Sequence, residues 1–496
     1  MINSSLWEYF LIRIFIFFCR FTPLLHASLL LLRTYQLGWP AAWSSLLFRI
    51  AAVQLFLEAV FAATLYRTYA RAERRALFDK CFHHVSNFDD YLKLWFLGAD
   101  VSELRRDNIR EFLLWGFFDQ DLKMCDEDSV LDELEEYIVR VEERLGRKLE
   151  PGKSSARCLR LTLDDVQCRY RSLTWYGIVF LVDLVSHATL HSQGFSFYAQ
   201  SLRKGLRVFP PRVGHLIHTG RTVASDLSYW YRPHRAPGKL PIVFLHGIGI
   251  GLWTYAKFLS ELNSGAADDQ IGIVAIEILP ISFRLTFDEP LGAPEFTRQV
   301  TKILANHGIE EFVLVAHSYG SVVTTQMLRS KELAPRIASV VLVDPVNLLL
   351  HEPYVAFNFT RRKPKTAAQW QLWYFASMDP GVAYVLGRHF FWRESIVWKE
   401  DLFERKGIGG DADKKVRRRV AVFLAERDLI VCTPAVLKYL RDEELIIRSP
   451  DDGDIAEPGR IDVTSFPNLD HAQVFDSPTD REKVLSVIRS YAAFSG

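Results

Sequence analysis

Ser318 stands in Ala316-His317-Ser318-Tyr319-Gly320, after the apolar run Phe312-Val313-Leu314-Val315 and before a helical pattern from Ser321 to Leu328. A buried strand that turns sharply into a helix exposes a serine at the carboxyl end of a sheet. That turn demands small residues two places before and two places after the serine. Ala316 and Gly320 meet the demand. A serine hydroxyl attacks a carbonyl only when a base takes its proton, and the base must be oriented by an acid. Two later segments offer such groups. Val420-Ala421-Val422-Phe423-Leu424 reads as a strand whose following loop carries Glu426 and Asp428. Phe466-Pro467-Asn468-Leu469-Asp470-His471-Ala472 places His471 in a loop before a last helix from about Asp480 to Ala493. His471 is the expected base and Asp428 the preferred acid. Asp344, which ends its own strand pattern, and Glu426 are the alternatives.

Acyl transfer also needs backbone N–H groups aimed at the developing oxyanion. Tyr319, following the serine, supplies one. The second is expected from His246-Gly247-Ile248-Gly249-Ile250-Gly251, which follows an apolar strand pattern, with Ile248 the first choice and Gly249 the second. These glycines lack the spacing of a dinucleotide-binding turn. The six cysteines are scattered without metal-ligand spacing. Neither an organic cofactor nor a metal is expected, and a reducing, cytosol-facing setting is favoured over a disulfide framework. A net charge of +1 gives no reason to expect nucleic acid.

These groups must be held by elements that alternate. From about residue 220, strand patterns at Thr222–Tyr231, Ile242–Leu245, Ile271–Ile276, Phe312–Val315, Val340–Val343 and Val420–Leu424 alternate with helical patterns at Thr254–Leu262 and Phe296–Asn306. Short apolar strands of this kind predict a mainly parallel sheet covered by helices on both faces, with chemistry at the strands' carboxyl ends. The glycine loop at His246, the elbow at Ser318, Asp428 and His471 together resemble the α/β-hydrolase superfamily. They look most like its lipase and esterase members and, with the hydrophobic N-terminus, like membrane-associated fungal hydrolases. The resemblance covers about 220–496. It implies the α/β-hydrolase fold and a carboxylic ester hydrolase with the triad Ser318, Asp428 and His471. Two positions depart from the family pattern. Ala316 replaces a glycine, and Glu277-Ile278-Leu279-Pro280 replaces the frequent Asp-x-x-Gly turn.

Residues 345–415 carry many aromatics, among them Phe359, Trp370, Phe390, Phe391 and Trp392. They are expected to form a cap over a lipophilic acyl group. The basic run Arg361, Arg362, Lys363 and Lys365 reads first as a solvated loop, and Lys414, Lys415, Arg417, Arg418 and Arg419 read first as a solvated helix end. Upstream, residues 76–219 read as helical, with no nameable motif before a third apolar stretch at 173–190 that contains Asp183 and His187.

The chain has 496 residues, 49% of them hydrophobic, and 35 are phenylalanine. Two apolar stretches, Leu6–Leu32 and Ala41–Leu65, each exceed the roughly 20 residues that span a bilayer. Residues 1–75 are therefore expected to form a membrane hairpin. Helices lying in the interface, or packed on the protein, are the alternatives. Arg67, Arg71, Arg74 and Arg75 place the following chain on the cytosolic side. The function expected is hydrolysis of a lipophilic ester at a membrane. An acyltransferase with the same triad and a non-catalytic scaffold are the rivals.

Overall fold

The structure, a computed structural model, describes residues 24–61, 67–85, 87–121, 128–263, 270–406, 415–441, 459 and 461–493. Two compact units are distinguished, Met1–His84 and Val85–Gly496.

In the first unit, a short helix at Trp39–Ser44 is followed by α1 (Leu46–Phe61) and α2 (Arg67–His84). Gly38, with φ +72°, sets Trp39–Ser44 off from the chain before it, a conformation that costs glycine nothing. Leu46, Leu47, Val53 and Phe56 of α1 stand exposed. Most of the first predicted membrane stretch, and the end of the second, lie outside the described residues. Among the described residues, one helix is long and apolar enough to cross a membrane, Leu173–Ser192 in the second unit.

The second unit begins with helices, chiefly α3 (Arg106–Phe118), α4 (Asp128–Leu145) and α5 (Leu173–Ser192). Its centre is a nine-stranded sheet: β1 (Ser196–Ala199), β2 (Gly220–Arg221), β3 (Tyr229–Arg232), β4 (Ile242–Leu245), β5 (Ile273–Ile276), β6 (Phe312–His317), β7 (Ile337–Val343), β8 (Arg419–Ala425) and β9 (Ile461–Phe466). The spatial order is β9-β8-β7-β6-β4-β5-β3-β1-β2. The six strands from β9 to β5 are parallel, and β3 is antiparallel to both β5 and β1. Every residue of β4, β5, β6 and β7 is buried, as strands covered on both faces require. Helices α6 (Ala256–Glu261), α7 (Ala293–Asn306), α8 (Gly320–Arg329) and α10 (Pro478–Ala492) cover the sheet, and α9 (Pro353–Thr360) belongs to the insertion between β7 and β8.

Register positions the chemistry. Leu245 lies beside Ala316, His317 beside Val343, Val343 beside Phe423, and Ala425 beside Phe466. The strands therefore end nearly level, and the loops leaving β4, β6, β7, β8 and β9 rise together from one edge.

Three expectations need correcting. The strand expected over Thr222–Tyr231 is only Tyr229–Arg232, because Asp226 leaves the sheet to pair with Lys204 and Gln299. The helix expected from Phe296 begins at Ala293, with Pro294 in its first turn, where a missing N–H costs nothing. The basic run before β8 is not a solvated helix end. Lys415–Arg417 pairs as a strand with Glu404–Lys406, and Arg418 is buried, donating to the carbonyls of Ala334 and Glu404.

Candidate active site

Between β6 and α8 the chain turns through Ser318 at φ +50°. This left-handed backbone is strained for a non-glycine residue. Close approach fixes the neighbours. A Cβ on Gly320 would meet the carbonyl oxygen of Leu245 at 2.3 Å, and one on Gly247 would meet Cβ of Ser318 at 2.7 Å. The side chains expected to act together are together. Ser318 Oγ lies 2.9 Å from Nε2 of His471, and Nδ1 of His471 lies 2.7 Å from Oδ2 of Asp428. The other oxygen of Asp428 accepts from the amides of Ile430 and Val431 at 2.7 and 2.9 Å, so one oxygen remains for the ring. Burial alone would push the His471 pKa down, but the Asp428 carboxylate, with Asp344 and Asp470 behind it, raises it to about 9.

Neither alternative acid reaches the imidazole. Glu426 is exposed and accepts from Ser465 Oγ at 2.7 Å. Asp344 is buried at φ +43°, and each of its oxygens holds a backbone amide. Oδ1 accepts from Ala425 at 2.9 Å and Oδ2 from Ala472 at 2.9 Å. One carboxylate thus clamps the loop carrying Asp428 to the loop carrying His471. Burial raises its pKa to about 6. Asp344, Asp428 and His471 place ligand-type atoms within 4.8 Å of one another. Both ring nitrogens and the facing carboxylate oxygens are spent on the hydrogen bonds just described, so the arrangement is that of a proton-transfer chain rather than a cation cage.

The loop after β4 has three amides to offer. Gly247 N–H donates to Tyr255 Oη at 3.1 Å, and Gly249 N–H donates to the Ile281 carbonyl at 3.2 Å. Ile248 N–H has no such bond among the described residues, and Ile248 lines the same cavity as Ser318 and Tyr319. The sequence does not show what aims it. Nε2 of His246 accepts from Ile278 N–H at 2.9 Å, so its proton sits on Nδ1, which donates to the Gly247 carbonyl at 2.8 Å. In a trans peptide the C=O and the next N–H point opposite ways. Anchoring the Gly247 carbonyl to His246 therefore turns the Ile248 N–H away from the ring. Burial lowers the His246 pKa and keeps the ring neutral, as this pairing needs.

Behind that loop lies a cluster of buried charges. Both terminal nitrogens of Arg212 hold Glu277, at 2.6 and 2.7 Å, and Asp183 of α5 meets Arg284 at 2.7 Å and Arg212 at 3.3 Å. Burial would raise the Glu277 pKa, but Arg212 brings it down to about 2. Asp183 thus pairs with arginines of the α/β region rather than with His187. The family departure at Glu277 also has a physical reason, since this side chain answers a buried guanidinium.

A cavity opens on Ser318. Phe359, Phe390, Phe391 and Trp392 of the insertion line it, whereas Trp370, Tyr374 and Phe375 are exposed. Trp95, Trp115 and Leu161 complete the wall. They come from the helical region in which no motif was found. Trp392 Nε1 donates to the Gly116 carbonyl at 3.0 Å, Arg393 donates to that of Phe117 at 2.8 Å, and Arg393 also pairs with Asp119, tying the insertion to the end of α3. The run at Arg361 is likewise not simply solvated. Arg362 donates to the Leu429 carbonyl beside Asp428 at 2.6 Å, and Arg361 meets Asp164 at 3.4 Å.

Residues 242–481 match the model of a family described as the alpha/beta hydrolase family. No curated protein matches the sequence. Similar solved structures include naproxen esterase from Bacillus subtilis, 13% identical, covering 64% of this chain and 99% of that one with a TM-score of 0.36. Another is carboxylesterase CesB from Bacillus subtilis, 13% identical, covering 62% and 98% with a TM-score of 0.33. A third is a bacterial membrane phospholipase A, 12% identical, covering 64% and 94% with a TM-score of 0.36. The match over residues 242–481 to the alpha/beta hydrolase family supports a hydrolase activity.

Proposed function

We propose that the protein is a membrane-anchored serine hydrolase that cleaves esters of lipophilic acids through an acyl-enzyme on Ser318. The hydrogen-bonded chain from Ser318 Oγ through His471 to Asp428, at 2.9 and 2.7 Å, carries this reading. Ser318 Oγ attacks the ester carbonyl while His471 Nε2 takes its proton. The tetrahedral oxyanion is held by the amides of Tyr319 and Ile248. Collapse breaks the ester C–O bond, and His471 returns the proton to the departing alkoxide. A water, deprotonated by the same nitrogen, then releases the acid and restores Ser318. Asp428 keeps the proton on Nδ1 and balances the imidazolium. The apolar wall of the Ser318 cavity supports a lipophilic acyl group.

The apolar stretches before residue 66 support anchoring, and Arg67, Arg71, Arg74 and Arg75 support a cytosol-facing α/β unit. A fluorophosphonate probe tests the chemistry. It labels the folded protein and fails to label Ser318→Ala. Absence of labelling on folded wild type leaves a non-catalytic scaffold. Product analysis with and without a competing alcohol separates hydrolysis from acyl transfer. Alkaline carbonate extraction tests the anchor, and release into the supernatant rejects it.

A further inference from the structure

Helix α5 (Leu173–Ser192) has its polarity reversed. Only Tyr176, Val179, Ser186 and Leu190 of it are buried, and its polar groups face the protein. Asp183 pairs with Arg284 at 2.7 Å and with Arg212 at 3.3 Å. Ser186 Oγ donates to the Val182 carbonyl at 2.6 Å, and the His187 ring packs edge-on against Trp230 at 4.8 Å and Phe197 at 5.4 Å. Leu173, Ile178, Leu181, Leu184 and Val185 are exposed instead, Leu173 by 75% and Leu181 by 59%, with Ala188 beside them. At 3.6 residues per turn these fall within an arc of about 140° that is about 22 Å long. Between Leu173 and Ala188 no charged or titratable side chain lies on that arc.

What covers the arc follows from its chemistry. A protein interface carries about one hydrogen bond per 100–200 Å², and the arc offers no side-chain donor or acceptor except Thr174 at its start. A lipid surface asks for none. At the same end the insertion adds rings beside cations. Phe375 meets Trp175 at 5.2 Å, exposed Arg169 lies over Trp373 at 5.7 Å, and Arg171 lies over Tyr374 at 4.1 Å. Trp370, Tyr374 and Phe375 are exposed. Tryptophan, tyrosine and arginine are the residues that sit where hydrocarbon gives way to headgroups. The helix cannot turn to cross a bilayer while Asp183 holds two arginines, because their buried charges would be stranded. We infer that α5 lies in the plane of a membrane, with its outward arc at the boundary of headgroups and hydrocarbon and its inward face on the α/β unit. The helix long enough to span is thus an in-plane contact. This inference adds to the anchoring proposed above and rests on the second unit alone.

The test uses the full-length protein in phosphatidylcholine vesicles whose lipid carries a photoactivatable diazirine on one acyl chain. After photolysis and trypsin, the peptide from Ser172 to Arg203 is expected to carry lipid cross-links at Ile178, Leu181 or Val185. Ile178→Glu combined with Leu181→Glu lowers them at least fivefold and leaves thermal unfolding in detergent unchanged. Cross-links confined to residues before 66 overturn the inference and leave the anchor standing. Oxidation of Leu181→Cys to a disulfide-linked dimer in the vesicles overturns it in favour of a second copy. Orientation is read in sealed microsomes with a membrane-impermeant maleimide. Cys168, exposed before the helix, and Ser192→Cys, exposed at its end, are expected to react together or to resist together, and both react once detergent opens the vesicles. Reaction of only one of the two before detergent means that α5 spans, and overturns the inference. No lipid cross-link anywhere in the chain overturns the inference and the anchor together.

Discussion

Asp344, directly after β7, and Asp428, in the loop after β8, both lie within reach of the same histidine loop, and exchanging each for asparagine separates their roles. With Asp428, and more distantly Asp344 and Asp470, the His471 pKa rises from 6.5 to about 9. That rise corresponds to about 3 kcal/mol in favour of the imidazolium, on the order of 10²-fold. The transition state for acylation contains that imidazolium, so Asp428→Asn forfeits most of this. It also offers the ring an NH₂ where Nδ1–H needs an acceptor, which moves the proton to Nε2 and blocks the base. A wrong tautomer costs up to about 10⁴ in a serine triad. The expected loss in kcat/KM for Asp428→Asn therefore lies between about 10²-fold and about 10⁴-fold.

Asp344→Asn acts differently. The amide keeps one acceptor and turns its NH₂ on the second backbone N–H, so one of the two 2.9 Å clamps at Ala425 and Ala472 is lost. A hydrogen bond to a charged group is worth about 1.5–3 kcal/mol. Against that stands relief from holding a carboxylate whose pKa burial raises to about 6. The two terms are of similar size, so thermal stability changes little, while kcat/KM falls by about tenfold as the loops carrying Asp428 and His471 loosen. The assay is hydrolysis of a short p-nitrophenyl ester alongside thermal unfolding of each variant. If folded Asp344→Asn loses as much as Asp428→Asn, or folded Asp428→Asn loses less than about tenfold, the assignment of the acid is wrong.

Two other outcomes follow from the same geometry. His471 acts as a base only when neutral, and its paired carboxylate raises its pKa to about 9, so kcat/KM climbs about tenfold per pH unit up to about that pH and then levels; Asp428→Asn moves the limb toward lower pH, and a profile already flat at pH 6 contradicts the pairing. His246→Leu removes the donor that fixes the Gly247 carbonyl, so kcat falls about 10²–10³-fold with KM little changed, as for loss of one oxyanion donor, and His246→Asn, which keeps an NH group toward that carbonyl, recovers most of it.

The part of the site carried by short segments was legible in the sequence. Ala316 and Gly320 around Ser318 are a steric requirement written within five residues, and the order of serine, acid and histidine fixes which strands must lie side by side. Strand β9 was not recognised. Its sequence Ile461-Asp462-Val463-Thr464-Ser465-Phe466 mixes polar and apolar residues because it is an edge strand, partly open to solvent. The region that holds Trp95 and Trp115 read only as helical, and periodicity carries no information about which distant surface its residues meet. That surface is the cavity at Ser318, more than two hundred positions away in the chain.

Asp344 was the hardest to place, and the reason is physical. In sequence, Val343-Asp344 and the loop after Ala425 are equivalent offers of a carboxylate at a strand end. What decides between them is which groups are already owed an acceptor. The amides of Ala425 and Ala472 are turned toward β7 by the register of β8 and by the left-handed backbone at Ala472, with φ +68°. Unpaired, they would be buried donors at a cost of about 1–3 kcal/mol each. Asp344 satisfies both, one with each oxygen, and makes no hydrogen bond to the His471 ring among the described residues. Asp428 satisfies two amides with a single oxygen and has one to spare. The role of each carboxylate is therefore set by hydrogen-bond demand in the three-dimensional register, which the residue types alone do not reveal.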